Sequence, residues 1–397
     1  MEQDRNQTPR ANRVHIGFFG RRNAGKSSLI NAVSGQTVSV VSPVLGTTTD
    51  TVEKAMELLP IGAVVLVDTP GMDDSGSLGE LRIQQAKRAV THTDIAVLVI
   101  DASVGITEAD RAILQLLKQQ NIPVLQAWNK CDLAQSIPAD GVPVSALTGQ
   151  GIDALKTQLG TFYQKHAAQP RSLFGSLLKK EDLVILVTPI DESAPKGRMI
   201  LPQVQAIREI LDRTAVCLVT QTDQLAHTLS LLKQPPRLVI TDSQAFEQIK
   251  QIVPEEIMLT SFSILFARFK GVLTPAIQAA QALEVLPAGS RILISEGCTH
   301  HRQCNDIGTV KLPKWIQSYT KKTFQFDFSS GNSFPEDLSP YQLIVHCGGC
   351  MLNQREMESR AARAVSQGVP YTNYGVLIAY LNGILKRSLS FLTAIEA

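Results

Sequence analysis

Nowhere in the 397 residues does an apolar run approach the roughly 18 residues that a membrane-spanning helix needs, so no such span is expected. The opening MEQDRNQTPRANR lacks the apolar core of a secretory signal, which makes the cytoplasm the expected compartment. Neither sign of charge dominates. The net charge is +2, and residues 261–397 hold 13 Lys and Arg against 9 Asp and Glu, well short of a nucleic-acid-binding tail. No K/R-G-F-G-F or G-x-x-G module sits beside a basic stripe, so no nucleic-acid partner is expected. Cysteine is scarce, at six, and four of the six fall between 298 and 350. In a reducing compartment that clustering favours metal binding over a disulfide framework.

What is present is an ordinary globular composition, 44% hydrophobic and 19% charged, on a chain too long for one core. Residues 14–160 alternate apolar runs (Val14–Phe19, Ala63–Val67, Asp94–Ile100, Ile122–Trp128) with helical stretches near 26–34, 79–91 and 107–119. Such alternation predicts a parallel sheet covered by helices on both faces. A polar break at Gln164–Pro170 reads as a linker. A second α/β series follows, with strands Leu183–Thr188, Ala215–Val219 and Arg237–Thr241 and no phosphate loop. A third begins near Phe262, with strands Arg291–Ser295 and Tyr341–Val345 and helices over 313–320, 354–367 and from 375. The expected fold class is therefore α/β in three domains, 1–168, 175–261 and 262–397. Cys217, inside its strand, reads as a buried core residue, and Phe324, Phe326 and Phe328 as core positions of a half-buried strand.

The strand Val14–Phe19 runs into Gly20-Arg21-Arg22-Asn23-Ala24-Gly25-Lys26-Ser27-Ser28, a G-x-x-x-x-G-K-S loop opening a helix. Its glycines let backbone N–H groups wrap phosphates, Lys26 reaches the β- and γ-phosphates, and Ser27 holds magnesium. Asp68-Thr69-Pro70-Gly71 then matches D-x-x-G, and Asn129-Lys130-Cys131-Asp132 matches N-K-x-D. The Asp132 carboxylate accepts two hydrogen bonds that guanine offers and adenine does not, which selects GTP and GDP. Ser145-Ala146-Leu147 resembles the loop that closes over the base.

Gly46-Thr47-Thr48-Thr49-Asp50 resembles the first switch of the bacterial Era and tRNA-modification GTPases. That resemblance implies Thr48 as a magnesium ligand and Asn23 as a holder of potassium, which acts where an arginine finger acts elsewhere. Glu80, twelve residues after Asp68, stands at the spacing of the catalytic glutamate of the tRNA-modification GTPases; a solvated residue in a first helical turn is the other reading. Met72 replaces the water-orienting glutamine of Ras-like proteins, so unassisted hydrolysis should be slow.

The late cysteines form two groups, Cys298-Thr299-His300 and His346-Cys347-Gly348-Gly349-Cys350, each just after a predicted strand. Ligands collect outside the carboxyl ends of strands in open α/β sheets, so the two halves can meet there. Thiolates at this spacing suit an iron–sulfur cluster or zinc, and three leave one position of a four-ligand site to another group. Together with the context Glu296-Gly297 and Asp306-Ile307-Gly308, the set resembles the C-x-H…H-C-x-x-C signature of the FeFe-hydrogenase maturation GTPases, the HydF family. The resemblance implies a 4Fe–4S cluster on Cys298, Cys347 and Cys350, with His300 and His346 as candidates for the fourth position or for hydrogen bonds that tune it. It implies a homodimer through the middle domain, and a transient diiron precursor passed to apo FeFe-hydrogenase after exchange with radical-type maturation enzymes. Cys304 is outside the signature and reads as a bystander or a spare thiolate. The competing reading is an Era-like RNA-binding GTPase with a structural zinc.

Overall fold

The computed structural model describes residues 8–35, 52–71, 85–166, 171–189, 199–297, 306–331 and 333–392. The chain divides into two compact units, residues 1–170 and 171–397. Among the described residues of the first, six strands run β1 (Val14–Phe19), β2 (Val52–Leu58), β3 (Gly62–Asp68), β4 (Ile95–Asp101), β5 (Val124–Asn129) and β6 (Val142–Pro143). They order β2-β3-β1-β4-β5-β6, all parallel except β2, which pairs antiparallel with β3. The central strand β4 is buried along its whole length, as an apolar run covered on both faces must be. Helices Lys26–Ser34, Glu108–Gln119 and Ile152–His166 flank the sheet, and a further helix occupies 85–91. Thr107 and Asp110 form a reciprocal cap that starts the second of these. The helix expected over 79–91 is described from 85; residues 72–84 lie outside the described residues.

The second unit carries two four-stranded parallel sheets. One has the order β10-β9-β7-β8, built from β7 (Leu183–Val187), β8 (Val216–Thr220), β9 (Leu238–Thr241) and β10 (Met258–Ser261). The other, ordered β12-β11-β13-β14, comprises β11 (Arg291–Glu296), β12 (Gln325–Ser330), β13 (Leu343–His346) and β14 (Tyr371–Asn373). Residues from both sheets join one apolar cluster running from Leu173 to Phe391. Position 262 therefore marks a change of sheet within a shared core. Hydrogen bonds cross the same boundary, from Thr260 Oγ1 to the Ser388 carbonyl at 2.9 Å and from Arg387 to the Val253 carbonyl at 2.9 Å.

Two expectations about the core need correction. Cys217 is half-buried, because β8 is an edge strand covered on one side only. Phe324 and Phe326 pack inward, but Phe328 is exposed, because β12 also lies at an edge of its sheet.

Candidate functional site

The first constellation forms at the carboxyl ends of β1, β3, β4 and β5. Gly20 and Gly25 have φ of 150° and 90°, and Asn23 sits in the left-handed region at φ 62°. A Cβ at Gly25 would collide with the Asn129 amide, so glycine is required there by both conformation and space. Lys26 is buried and donates to the carbonyls of Gly20 at 3.0 Å and Arg21 at 2.8 Å, which shapes the loop. Ser27 Oγ donates to Asp68 at 2.5 Å. Burial pushes the Asp68 carboxyl up, opposed by that bond and by the Lys26 charge. Ser28 and Gly71 line the same cavity, about 680 Å³ in volume.

Asn129 braces this site from β5. Its amide donates to the Ala24 carbonyl at 2.8 Å, and its oxygen accepts from the Ala146 N–H at 3.0 Å, tying the phosphate loop to the Ser145–Ala146 loop. Lys130, also left-handed at φ 61°, donates to Asp101 at 2.6 Å, while Asp132 points to solvent. Thr48, Met72 and Glu80 lie outside the described residues.

Sequence reasoning missed two members. Asp101, at the end of β4, pairs with Lys130 and with Arg21 of the phosphate loop at 3.1 Å. Burial raises its pKa, but the hydrogen bonds from Lys130 and Ser103 outweigh that and hold it below the ordinary value. An acidic strand end preceding the guanine motif was the available signal. Gln85 lines the cavity from the helix over 85–91, with no motif to announce it.

The second constellation forms where β11 and β13 end side by side, with Ser295 opposite His346. Cys298, His300 and Cys304 lie outside the described residues; Gly297, immediately before Cys298, is described. The Gly297 N–H donates to Cys347 Sγ at 3.1 Å, and the Gly349 N–H approaches the same sulfur at 3.4 Å. Two amides aimed at one sulfur favour its thiolate. Without a metal, burial pushes the Cys347 thiol up to about 11, against those hydrogen bonds, and raises Cys350 too, opposed by the charge of Lys270. Gly349 has φ 61°, and a Cβ there would meet the Met357 thioether, so the turn between the cysteines needs glycine. Asn353 then caps the helix Gln354–Ser366, accepting from the Glu356 N–H at 2.9 Å. Among the described residues no three His, Cys, Asp or Glu converge.

His346 is fully buried, so it is no surface residue. Its Nδ1 lies 2.9 Å from the Cys347 carbonyl and must carry the proton; its Nε2 lies 3.1 Å from Arg360 Nη1 and must accept. Burial and the Arg360 charge push its pKa down to about 3, so the ring is neutral. Arg360 also binds Glu356 at 2.6 Å and the Gly331 carbonyl at 2.7 Å, under the ring of Phe334. His346 was named by its motif, but its partners Arg360 and Glu356, and Lys270, were invisible in the sequence because none of them carries one.

Fold and nucleotide constellation define a P-loop GTPase joined to a second α/β unit. Residues 15–130 match the family model described as 50S ribosome-binding GTPase, residues 173–271 the hydrogen maturase F dimerization domain, and residues 274–391 the hydrogen maturase F tetramerization domain. The two maturase models together span more than half of the chain, which belongs to the hydrogen maturase F family.

Curated relatives resemble the GTPase part. The tRNA modification GTPase MnmE of Streptococcus pyogenes serotype M12 is 34% identical over 160 residues, 39% of this chain and 34% of that protein. Its counterpart from Herminiimonas arsenicoxydans is 37% identical over 157 residues, 37% of this chain and 33% of that protein. The chain thus spans about a third of the length of the curated relatives it matches. Aquifex aeolicus Era bound to GDP and aluminium fluoride aligns over 52% of this chain and 92% of its own, at 22% identity and a TM-score of 0.33. The chain carries a GTPase domain, and its two maturase domains mark it as self-associating. The Era-like reading with a structural zinc finds no support in these matches. Among the described residues no helix is long and apolar enough to cross a membrane.

Proposed function

We propose that this protein is a GTP-hydrolysing scaffold of the cytoplasm that carries a 4Fe–4S cluster on Cys298, Cys347 and Cys350, receives a diiron precursor as cargo and delivers it to apo FeFe-hydrogenase. The observation that carries the reading is the cysteine turn at the end of β13, lying beside the end of β11 where Gly297 leads into Cys298. The donor chemistry fits: two half-buried cysteines, one sulfur already met by two backbone amides, and a buried lysine beside them. When bound, the cluster supplies an iron with an exchangeable position, because three thiolates serve three of its four irons. His346, with both ring nitrogens engaged, orients the Cys347 carbonyl and is assigned a supporting place; His300 is the candidate for the fourth position.

At the nucleotide site, Lys26 and the amides of Gly20 to Ser28 grip phosphates, and Ser27, Thr48 and Asp68 hold magnesium. Asn23 holds potassium, and Glu80 assists hydrolysis. Asn129, Lys130, Asp132, Ser145 and Ala146 shape the guanine pocket. Radical-type maturation enzymes load the scaffold, and self-association runs through the middle domain, where edge strand β8 presents Val216 and Val219, 50% and 44% exposed.

Anaerobic purification with iron and sulfide analysis tests the cluster. Cys298→Ala, Cys347→Ala and Cys350→Ala should each lose most bound iron, and Cys304→Ala should keep it. Full iron retention in any of the first three removes that residue from the ligand set.

A further inference from the structure

Lys270 caps the helix Phe262–Phe269, and its side chain turns inward beneath the cysteine turn, leaving the residue only 2% exposed. Its ammonium donates to the carbonyls of Gly349, at 3.1 Å, and of Leu352, the two residues that bracket Cys350 and Met351. No carboxylate among the described residues pairs with it. Glu356 contributes a favourable field, but its own partner is Arg360 at 2.6 Å.

A cation removed from water and given only neutral carbonyls is poorly compensated. Among the described residues, the other nearby groups able to bear negative charge are the sulfurs of Cys350 and Cys347, in the turn whose carbonyls the ammonium holds. As thiols they are neutral; as metal ligands they are deprotonated. The charge balance of this pocket therefore closes when sulfur is metallated and stays open when it is not. Arg360, the other buried cation nearby, is already occupied by Glu356, Gly331 and His346.

Resting on the cluster reading above, we propose that Lys270 is the counter-charge of the cluster: a positioning residue that clamps the 347–352 turn and raises the cluster's reduction potential. A fixed positive charge stabilises the reduced cluster, which is more negative by one electron, so a neutral residue there must lower the potential. The same reasoning makes the ammonium dispensable to the iron-free fold, since replacing a poorly compensated buried charge by a neutral group costs little. Lys270 lies in the segment matching the dimerization domain, while Cys347 and Cys350 lie in the tetramerization segment.

The test uses the full chain, reconstituted anaerobically with iron and sulfide. Lys270→Gln keeps an N–H donor for the two carbonyls and removes the charge, Lys270→Met removes both, and Lys270→Arg keeps the charge. EPR-monitored redox titration should place the Gln and Met variants at least about 59 mV below the unmodified protein, a tenfold shift in a one-electron equilibrium, with Arg near the unmodified value. Iron-free Lys270→Gln should melt no lower than the iron-free parent. If the neutral variants fold but lose the cluster and Arg retains it, the dependence on charge is the same in stronger form. An unchanged potential in Lys270→Gln overturns the proposal, as does loss of the cluster in all three variants. So does an iron-free Gln variant that fails to fold or melts well below the parent, because the lysine would then brace the fold. Failure of the unmodified protein to take up iron is a separate result that removes the cluster reading itself.

Discussion

Asp101 shows how one carboxylate can join two motifs that are distant in sequence. It holds Arg21 of the phosphate loop and Lys130 of the guanine motif together, and hydrogen bonds to charged groups contribute about 1.5–3 kcal/mol each. Asp101→Asn should therefore speed release of a fluorescent GDP analogue by about tenfold or more, measured by stopped flow. A rate within twofold of the parent would show that the brace does not act on the nucleotide. The same group predicts a pH dependence. Its folded pKa lies below the ordinary 3.8, so its contribution to stability is present above pH 3.8 and is lost as pH falls through the folded value. Unfolding midpoints of the parent should drop over that window by more than those of Asp101→Asn. At Asn23 of the phosphate loop, exchange of sodium for potassium at constant ionic strength should raise GTP turnover, and Asn23→Ala should erase the difference. Equal turnover of the unmodified protein in both salts would remove the potassium site.

At the scale of elements, the strands buried on both faces were legible and most edge strands were not. β1, β3, β4 and β5 read directly as apolar runs, and the phosphate loop and guanine motif fell at their ends. β2 escaped notice because Val52-Glu53-Lys54-Ala55-Met56-Glu57-Leu58 mixes charges into a strand that runs at the edge of its sheet. β10 runs without a loop into the helix at Phe262, and β6 and β14, of two and three residues, are too short for any period to show. Both cysteine groups were legible as motifs, but the support beneath the Cys347–Cys350 turn was not. Lys270, Arg360 and Glu356 look like ordinary surface residues in sequence, and only the fold buries them. Edge strand β8 carries a prediction of its own. Val219→Glu puts a charge on a half-exposed apolar edge, so the dimer should weaken markedly in sedimentation while the monomer stays folded. An unchanged sedimentation profile would place the dimer contact elsewhere.

Over the whole molecule, the proposed function joins a nucleotide switch and a metal carrier in one chain, which makes sense when GTP turnover times a transfer step. Met72 at the position of a water-orienting glutamine suits that role, since unassisted small GTPases turn over at roughly 10⁻⁴ s⁻¹ and a partner can then set the rate. The central claim is that the nucleotide site and the cluster both serve hydrogenase maturation. The most direct measurement is FeFe-hydrogenase activity recovered in cells that lack their own scaffold and express this chain. The unmodified protein should restore activity, Cys347→Ala should restore none, and Lys26→Ala should restore little while keeping its iron. Full activation by a Lys26→Ala protein that binds no GTP, or by Cys347→Ala, would contradict the account.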